Sequence, residues 1–202
     1  MPEFTSPAGV LLLWAILGYL LGSIPTGVVT ARAMGLGNLR EIGSGNTGAT
    51  NVLRTGNKTA ALITLLGDAI KGIAAVMLAQ RFAGPDAAQV AAFAAFIGHC
   101  YPVWLRFIGG KGVATFLGLA LVLAPLSGLI ACVIWAGTAK LSKISSLSAL
   151  VAAALTPFTM LLTGSYDTVA LAIVLAILIF WRHRANIIRL WAGTEPKLGR
   201  SP

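Results

Sequence analysis

The sequence predicts an all-α, polytopic integral membrane protein that crosses the bilayer seven times. Of its 202 residues, 57% are hydrophobic and only 10% are charged, and the mean hydropathy is +0.85. These values lie outside the range of soluble globular domains. Apolar runs of about 20 residues, the length that crosses a hydrocarbon core, follow one another along the chain. Short segments that carry the basic residues separate these runs, as is typical of topology signals.

This composition leaves no room for a separate soluble domain, so residues 1–202 are predicted to form a single transmembrane domain. A formal net charge of +9 can indicate a nucleic-acid partner. Here the basic residues are dispersed among the loops between apolar runs instead of forming one patch. We therefore expect membrane lipid, and no nucleic acid, around this chain.

The first predicted span, 8–31, sets the orientation of the chain. It is flanked by Glu3 on one side and by Arg32 and Arg40 on the other, which places the N-terminus outside and the following loop in the cytoplasm. Pro25 lies near its inner end, where it can bend the helix. The later apolar runs cover residues 59–80, 87–107, 113–141, 147–163 and 167–181.

The run 113–141 is too long for one crossing. As a single helix it would measure about 43 Å, against a hydrocarbon core of about 30 Å. Splitting it at Pro125 into two short helices gives seven spans, with the N-terminus outside and the C-terminus inside. Every basic residue except Lys71 and Arg81 is then cytoplasmic. The basic residues of the tail are Arg182, Arg184, Arg189, Lys197 and Arg200.

A polar, glycine-rich segment at residues 43–58, named here the island, stands out from the apolar sequence. Its glycines let backbone N–H groups turn towards one point, and residues 49–54 can begin a helix whose N-terminus faces the same point. Such an arrangement is typical of a phosphate site. The alternative is a flexible connector between two membrane helices. The candidate ligand-binding residues of the island are Ser44, Asn46, Thr47, Gly48, Asn51 and Arg54.

Two further clusters are predicted on the cytoplasmic side. In the segment 109–112, Lys111 is framed by Gly109, Gly110 and Gly112 at the start of a helix, a device that can hold an oxyanion; the alternative is a simple topology charge. At the end of the last span, His183 and Asn186 project from one helix side, one turn apart. The arginines beside them are alternatively an anchor for anionic lipid heads.

Three ionisable residues within the spans each have two possible roles. His99 either contributes to the site or hydrogen-bonds within the helix bundle. Asp68 and Lys71, three residues apart, form either an intrahelical ion pair or a substrate contact, since charges at such depth are functional candidates.

Several catalytic classes lack their signatures. The sequence has no HExxH, GxSxG or CxxC motif, and two histidines with six acids are too few for a metal cage plus a separate base. We therefore expect no metal and no cofactor. Arginine, lysine, asparagine and glycyl amides favour an anionic substrate with a good leaving group.

Three motifs occur in order along the chain: GSGNTGATN (43–51), GHCYP leading to GGKGVAT (98–115) and HRANI (183–187). Together they resemble the bacterial acyl-phosphate:glycerol-3-phosphate acyltransferases, the PlsY family. The resemblance implies seven spans in the bacterial inner membrane with an active site facing the cytoplasm. It also implies transfer of a fatty acyl group from acyl phosphate to the 1-hydroxyl of glycerol 3-phosphate, with lysophosphatidic acid and phosphate as products.

The resemblance also implies roles for individual residues. Ser44, Lys111 and Asn186 would be catalytic, and Arg54 with His183 would hold glycerol 3-phosphate. The backbone of 43–48 and 109–112 would hold the acyl phosphate and its developing oxyanion. No covalent intermediate, cofactor or required protein partner is implied.

Two other classes stay open on the residues alone. A transporter of organic anions would also use glycine-rich sites at broken helices, although the outer side offers few polar residues for access. A non-catalytic binder of anionic lipids would need only the basic tail, which leaves both glycine-rich turns unexplained.

Overall fold

In the computed structural model, which describes residues 3–198, every regular element is helical. Residues 1–2 and 199–202 of the predicted domain, including Arg200, lie outside the described residues. The α-helices are α1 (Ala8–Gly22), α2 (Thr26–Ala33), α3 (Ala49–Leu53), α4 (Lys58–Ala83), α5 (Pro85–Cys100), α6 (Val113–Leu123), α7 (Pro125–Ser142), α8 (Ser145–Leu162), α9 (Val169–Arg182) and α10 (Arg184–Trp191).

Local signals explain several helix ends. α4 begins where the Asn57 side chain accepts a hydrogen bond from the Ala60 N–H at 2.9 Å. Gly84, with a φ of 102°, separates α4 from α5, and Pro85 occupies the first position of α5, where its missing N–H does no harm. The interruption between α1 and α2 contains Pro25, as the sequence predicts.

Five helical segments are long and apolar enough to cross a membrane, and a sixth is gained if α9 and α10, which meet at 64°, are taken together. α6 is shorter than that criterion. The predicted break in the run 113–141 is present, because α6 ends at Leu123 and α7 begins at Pro125. Only one of the two halves is short, however. α6 has 11 residues and α7 has 18, about 17 and 27 Å long respectively.

The helices pack closely through small residues. A methyl group on Gly22 would lie 2.0 Å from the Ala95 carbonyl oxygen, so α1 and α5 touch at backbone level there. A methyl on Gly118 would similarly lie 2.6 Å from the Ala69 oxygen, between α6 and α4. Small residues at such crossings are how helices associate in lipid. Many large apolar side chains remain on the outside, for example Ile70 and Phe158, as a surface facing lipid requires.

The connecting segments gather at two opposite ends of the bundle. At one end, named here the polar face, lie residues 34–57, 101–112, 143–144 and 183–198. Hydrogen bonds tie these segments together, including Thr50 to Ser145 at 2.9 Å and the Leu198 N–H to the Lys143 carbonyl at 2.6 Å. At the other end, Ser6 bonds Asp86 at 2.9 Å, beside the junction of α4 and α5.

Candidate functional site

Lys111 lies at the centre of the polar face. Its ammonium donates a hydrogen bond to the side-chain oxygen of Asn186, 75 residues later in the chain. Gly112, which follows it, has a φ of 87°, and a methyl group there would lie 2.2 Å from the Phe96 ring. Only glycine both adopts this positive φ readily and leaves room for the Phe96 ring. The structure thus brings together Lys111, just before α6, and Asn186 of α10, two of the three predicted catalytic residues; the third, Ser44, lies exposed on the island.

Arg182 holds the turn that carries Lys111. Its guanidinium donates to the Gly109 carbonyl at 3.1 Å and to the Gly110 carbonyl at 3.0 and 3.2 Å. It also lies 5.0 Å from the centre of the Tyr101 ring, a cation–π contact. Arg182 is therefore not an anchor for lipid heads, the alternative considered from the sequence, because its guanidinium faces inward. Arg184 is exposed and stacks on Trp181 at 5.2 Å.

The same turn corrects an expectation about the glycyl amides. The Gly109 N–H bonds the Cys100 carbonyl and the Gly110 N–H bonds the His99 carbonyl, each at 3.1 Å. These two N–H groups close the turn onto the end of α5, so they do not point at a ligand. The donors on this side still include the Lys111 ammonium and the first turn of α6, whose N–H groups have no partners within the helix.

Glu195 links the third motif to the rest of the polar face. Its carboxylate accepts hydrogen bonds from Asn186 at 2.5 Å, Arg189 at 2.6 Å and Ser146 at 2.6 Å. Asn186 thus lies between Glu195 and Lys111, and its side chain is oriented by both. Arg189, like Arg182, is bonded within the protein and is not a free lipid anchor.

The island is held together from within by Asn51, which is 2% exposed. Its side-chain oxygen accepts from the Ser44 N–H at 3.1 Å, the Ser44 hydroxyl at 3.3 Å and Arg54 at 3.4 Å. Its amide donates to the Leu39 carbonyl at 2.9 Å, and the side chain is buried, so it contacts the protein and not the surface where a substrate would bind. Ser44 itself is exposed and Arg54 half-buried, and both reach the surface of the polar face.

Other backbone groups of the island are also bonded internally. The Gly48 N–H bonds the side-chain oxygen of Asn46 at 3.2 Å, and the Gly45 N–H bonds the Ile42 carbonyl at 3.0 Å. The predicted helix is present as α3, although it has only five residues. Thr47 is buried under the island, against Gly27 of α2. The capacity of the island to bind anions therefore depends more on Arg54 than on turned amides.

His183 lies one residue before α10, at the bend that follows α9. It is 3% exposed, and its Nδ1 lies 2.8 Å from the Ile179 carbonyl, which fixes the ring. The other three candidates, Asp68, Lys71 and His99, lie deeper, with side chains 5–6% exposed. Asp68 and Lys71 form the predicted intrahelical ion pair at 2.9 Å.

The charges of the polar face influence one another. Burial lowers the pKa of Lys111 to about 8; Glu195 opposes this shift, while Arg189, Arg182 and Arg54 add to it. Burial alone would raise the pKa of Glu195, but its hydrogen bonds from Ser146, Asn186 and Arg189 outweigh burial and hold the pKa below its ordinary value. Glu195 is therefore ionised at neutral pH, and it supports the positive charge of Lys111.

Sequence reasoning missed Glu195, Ser146 and the inward role of Arg182. Glu195 did carry a signal, as the one acidic residue in a basic tail. Ser145 and Ser146 open α8 directly after a basic loop, which marks them as donors on the same side as the basic residues. As a whole, the polar face presents many more cations than carboxylates at helix ends, a composition that binds phosphate and stabilises developing negative charge.

Comparison with known proteins gives this site a family. The glycerol-3-phosphate acyltransferase family profile matches residues 12–193. A protein named glycerol-3-phosphate acyltransferase from Ruegeria pomeroyi is 60% identical over 200 residues, covering 99% of this chain and 98% of that one. One from Cereibacter sphaeroides is 59% identical over 200 residues, covering 99% and 95%.

Two solved structures of PlsY, described as an integral membrane glycerol 3-phosphate acyltransferase, have the same fold. The glycerol 3-phosphate form has a TM-score of 0.88 and 36% identity, covering 94% of this chain and 96% of that one. The lysophosphatidic acid form has a TM-score of 0.85 and 34% identity, covering 94% and 95%. The chain therefore belongs to the glycerol-3-phosphate acyltransferase family, as an integral membrane homologue of PlsY.

Proposed function

We propose that this enzyme takes its acyl group from an acyl phosphate and transfers it to the 1-hydroxyl of glycerol 3-phosphate. The observation that carries this proposal is the placement of Lys111 at the start of α6, bonded to Asn186 and surrounded by Arg54, Arg182 and Arg189. Two phosphate-bearing substrates need such a concentration of positive charge. The related PlsY structures hold glycerol 3-phosphate and lysophosphatidic acid, the acceptor and product of this reaction.

The chemistry proposed for the site is positioning with electrostatic stabilisation. An acyl phosphate is already activated, so the hydroxyl of glycerol 3-phosphate attacks its carbonyl carbon directly and phosphate leaves with the bonding electron pair. The hydroxyl proton passes to a phosphate oxygen of a substrate, so no protein base is required. Lys111 and the first turn of α6 stabilise the tetrahedral oxyanion and the departing phosphate.

The remaining residues hold the acceptor. Arg54 and His183 bind the phosphate of glycerol 3-phosphate, with Ser44 and Asn186 as neutral donors that orient its hydroxyl towards the acyl carbonyl. Bringing the two reacting atoms to near-attack distance supplies much of the rate enhancement. Ser44 and Asn186 suit this role because Asn51 and Glu195 fix their orientations.

The same proposal includes the seven crossings and the orientation. The chain forms a single domain in the bacterial inner membrane, with its N-terminus outside and the polar face in the cytoplasm. Support comes from the loops with the basic residues, which share one end of the bundle, and from Ser6 and Asp86, which share the other. A C-terminal fluorescent fusion should therefore be bright in bacterial cells.

The donor is tested with purified protein in lipid nanodiscs, given palmitoyl phosphate with and without glycerol 3-phosphate. We expect phosphate and lysophosphatidic acid in equal amounts, and only when the acceptor is present. Palmitoyl-CoA in place of palmitoyl phosphate is the matched donor control and should give no product. Product from the CoA ester alone would overturn the donor assignment, and phosphate release without the acceptor would indicate a hydrolase.

Glu195→Gln is expected to shift the pH dependence of this reaction. The pKa of Lys111 is about 8, so its ammonium is present below that pH, and kcat/KM of the wild type should fall as pH rises through about 8. Removing the negative charge of Glu195 lowers the pKa of Lys111 further. The alkaline limb should therefore move to lower pH, and kcat/KM at neutral pH should fall about tenfold or more.

The matched control is Glu41→Gln, which neutralises an exposed carboxylate that accepts from Asn38 at 2.7 Å. This variant should keep the wild-type pH profile. An alkaline limb that stays in place in Glu195→Gln would show that Lys111 does not titrate in the measured step.

A further inference from the structure

Asp68, Lys71 and His99 form a polar cluster buried inside the helix bundle. Asp68 and Lys71 belong to α4 and pair at 2.9 Å, while the His99 Nδ1 of α5 lies 3.4 Å from the same carboxylate oxygen. Their side chains are 5–6% exposed. Charged groups inside a membrane protein are costly to keep, so their presence demands a function beyond packing.

Both members of the Asp68–Lys71 ion pair contact the interruption between α1 and α2. The Lys71 ammonium donates to the Ile24 carbonyl at 2.8 Å, and the Thr26 hydroxyl donates to Asp68. A helix end carries partial negative charge on its carbonyls, and a helix start carries partial positive charge on its N–H groups. Lys71 thus places a positive charge at the end of α1, and Asp68 places a negative charge at the start of α2. Each charge is opposite in sign to the partial charge of the helix end beside it.

The start of α2 in turn supports the island. A methyl group on Gly27, the residue after Thr26, would lie 1.8 Å from the Thr47 carbonyl oxygen. α2 and the island are therefore in backbone contact at this point. Any shift of the first turn of α2 moves Thr47, and with it the loop that carries Ser44 and Arg54.

His99 connects the same carboxylate to the turn that carries Lys111. A methyl group on Gly110 would lie 2.1 Å from the His99 Nε2, so the ring packs directly against that glycine. The His99 carbonyl accepts the Gly110 N–H at 3.1 Å. In addition, the Thr115 hydroxyl in the first turn of α6 donates to the Asp68 carbonyl at 2.8 Å. Asp68 is therefore connected to the island through Thr26 at the start of α2, and to the Lys111 turn through His99.

The cavity among these groups is too small for a substrate. It is lined by Ser23, Thr26, Thr47, Asp68, Lys71 and His99, among others, and its volume is about 10 Å³. That is room for one water molecule at most. A direct substrate contact by Asp68 or Lys71, one of the two alternatives from the sequence, does not fit this geometry.

We propose that Asp68 is a positioning residue, which fixes the island and the Lys111 turn relative to each other through Thr26 and His99. This role rests on the proposed function only in that both segments must bind substrate. Because each segment keeps its own internal hydrogen bonds, loss of Asp68 changes their mutual distance and not their separate shapes. The expected consequence is slower turnover of substrates that still bind.

The test compares Thr26→Val, Thr26→Ser and Asp68→Asn in the nanodisc assay. Valine keeps the methyl group of Thr26 that faces Gly67 and replaces the hydroxyl with a second methyl group, whereas serine keeps the hydroxyl. For Thr26→Val and Asp68→Asn we expect kcat to fall about 10- to 100-fold, because small misplacements of reacting groups have effects of this size. KM for glycerol 3-phosphate should stay within about threefold, since its own contacts persist. Thr26→Ser should restore kcat.

The control is Asp167→Asn, an exposed carboxylate at the opposite end of the bundle, which should leave kcat unchanged. Each rate is expressed per folded molecule, and the folded state of each variant is checked by thermal unfolding in the same nanodiscs. An unchanged kcat per folded molecule, a serine variant no better than valine, or a rise in KM at constant kcat would each overturn the positioning role. If the wild type uses a donor other than palmitoyl phosphate, the donor proposal fails and the same comparison is made with that donor.

Discussion

Replacing Lys111 with alanine is expected to reduce acyl transfer by about 10³-fold while the protein remains folded. The loss of one donor to an oxyanion typically lowers kcat 10²- to 10³-fold, and Lys111 also serves the departing phosphate. Burial lowers the pKa of Lys111 to about 8, which means that the surroundings disfavour its charge. Its removal should therefore leave the thermal unfolding temperature unchanged or slightly higher, as often happens when a functional group is removed.

The matched control is Lys140→Ala, which removes an exposed lysine near the C-terminal end of α7. Both variants lower the net charge by one, so a general electrostatic effect on anionic substrates would appear in both. We expect Lys140→Ala to have wild-type kcat/KM for palmitoyl phosphate and glycerol 3-phosphate. Turnover retained by Lys111→Ala would falsify the assignment of this residue to the reaction.

Gly110→Ala is the second change expected to have a large effect, through geometry alone. The added methyl would lie 2.1 Å from the His99 Nε2, well inside van der Waals contact. The ring has no room to retreat, because its other side faces Asp68 and both residues are buried. The turn must move instead, which displaces Lys111 from Asn186. We expect turnover to fall about 100-fold or more, and stability to fall by about 1–3 kcal/mol from overpacking.

Gly137→Ala serves as the control for the glycine substitution. Gly137 lies within α7, and no atom stands within 4 Å of the position of an added methyl. Alanine favours a helix over glycine by up to about 1 kcal/mol, so this variant should be as stable as the wild type or more stable, with full activity. If Gly110→Ala retains both activity and unfolding temperature, the Lys111 turn is not held as rigidly as its contacts with His99 and Arg182 indicate.

Much of the fold followed from local sequence. The predicted span 59–80 corresponds to α4 (Lys58–Ala83), and 147–163 corresponds to α8 (Ser145–Leu162). Apolar runs, Pro85 at a helix start and Pro125 at a break act through the chain near them, so they can be read without knowing the neighbours. The corrections to the helices concern how far a helix continues: α7 keeps its full length after Pro125, and α5 ends at Cys100, before the end of the predicted span 87–107.

The candidate site followed from the sequence only in part. The three motifs place Ser44, Lys111 and Asn186 at the polar face, yet they do not reveal which groups are already bonded to each other. The Gly109 and Gly110 N–H groups were expected to face a ligand, but they close onto the end of α5. Asn51 similarly bonds within the protein, since its side-chain oxygen accepts from Ser44 and its amide donates to the Leu39 carbonyl.

The sequence by itself determined the membrane class, the order of the spans and the motifs of the family, because hydropathy, turn residues and short motifs are local properties. Only the tertiary structure decided the partners of the polar groups. Glu195 meets Ser146 across 49 residues, and Asp68 meets Thr26 across 42. Contacts over such separations depend on how whole helices pack, and helix packing leaves no periodic trace near either residue. For this reason Glu195 and Ser146 came to light as orienting residues only in the folded protein, and Asp68 and His99, already candidates from the sequence, found their partners there.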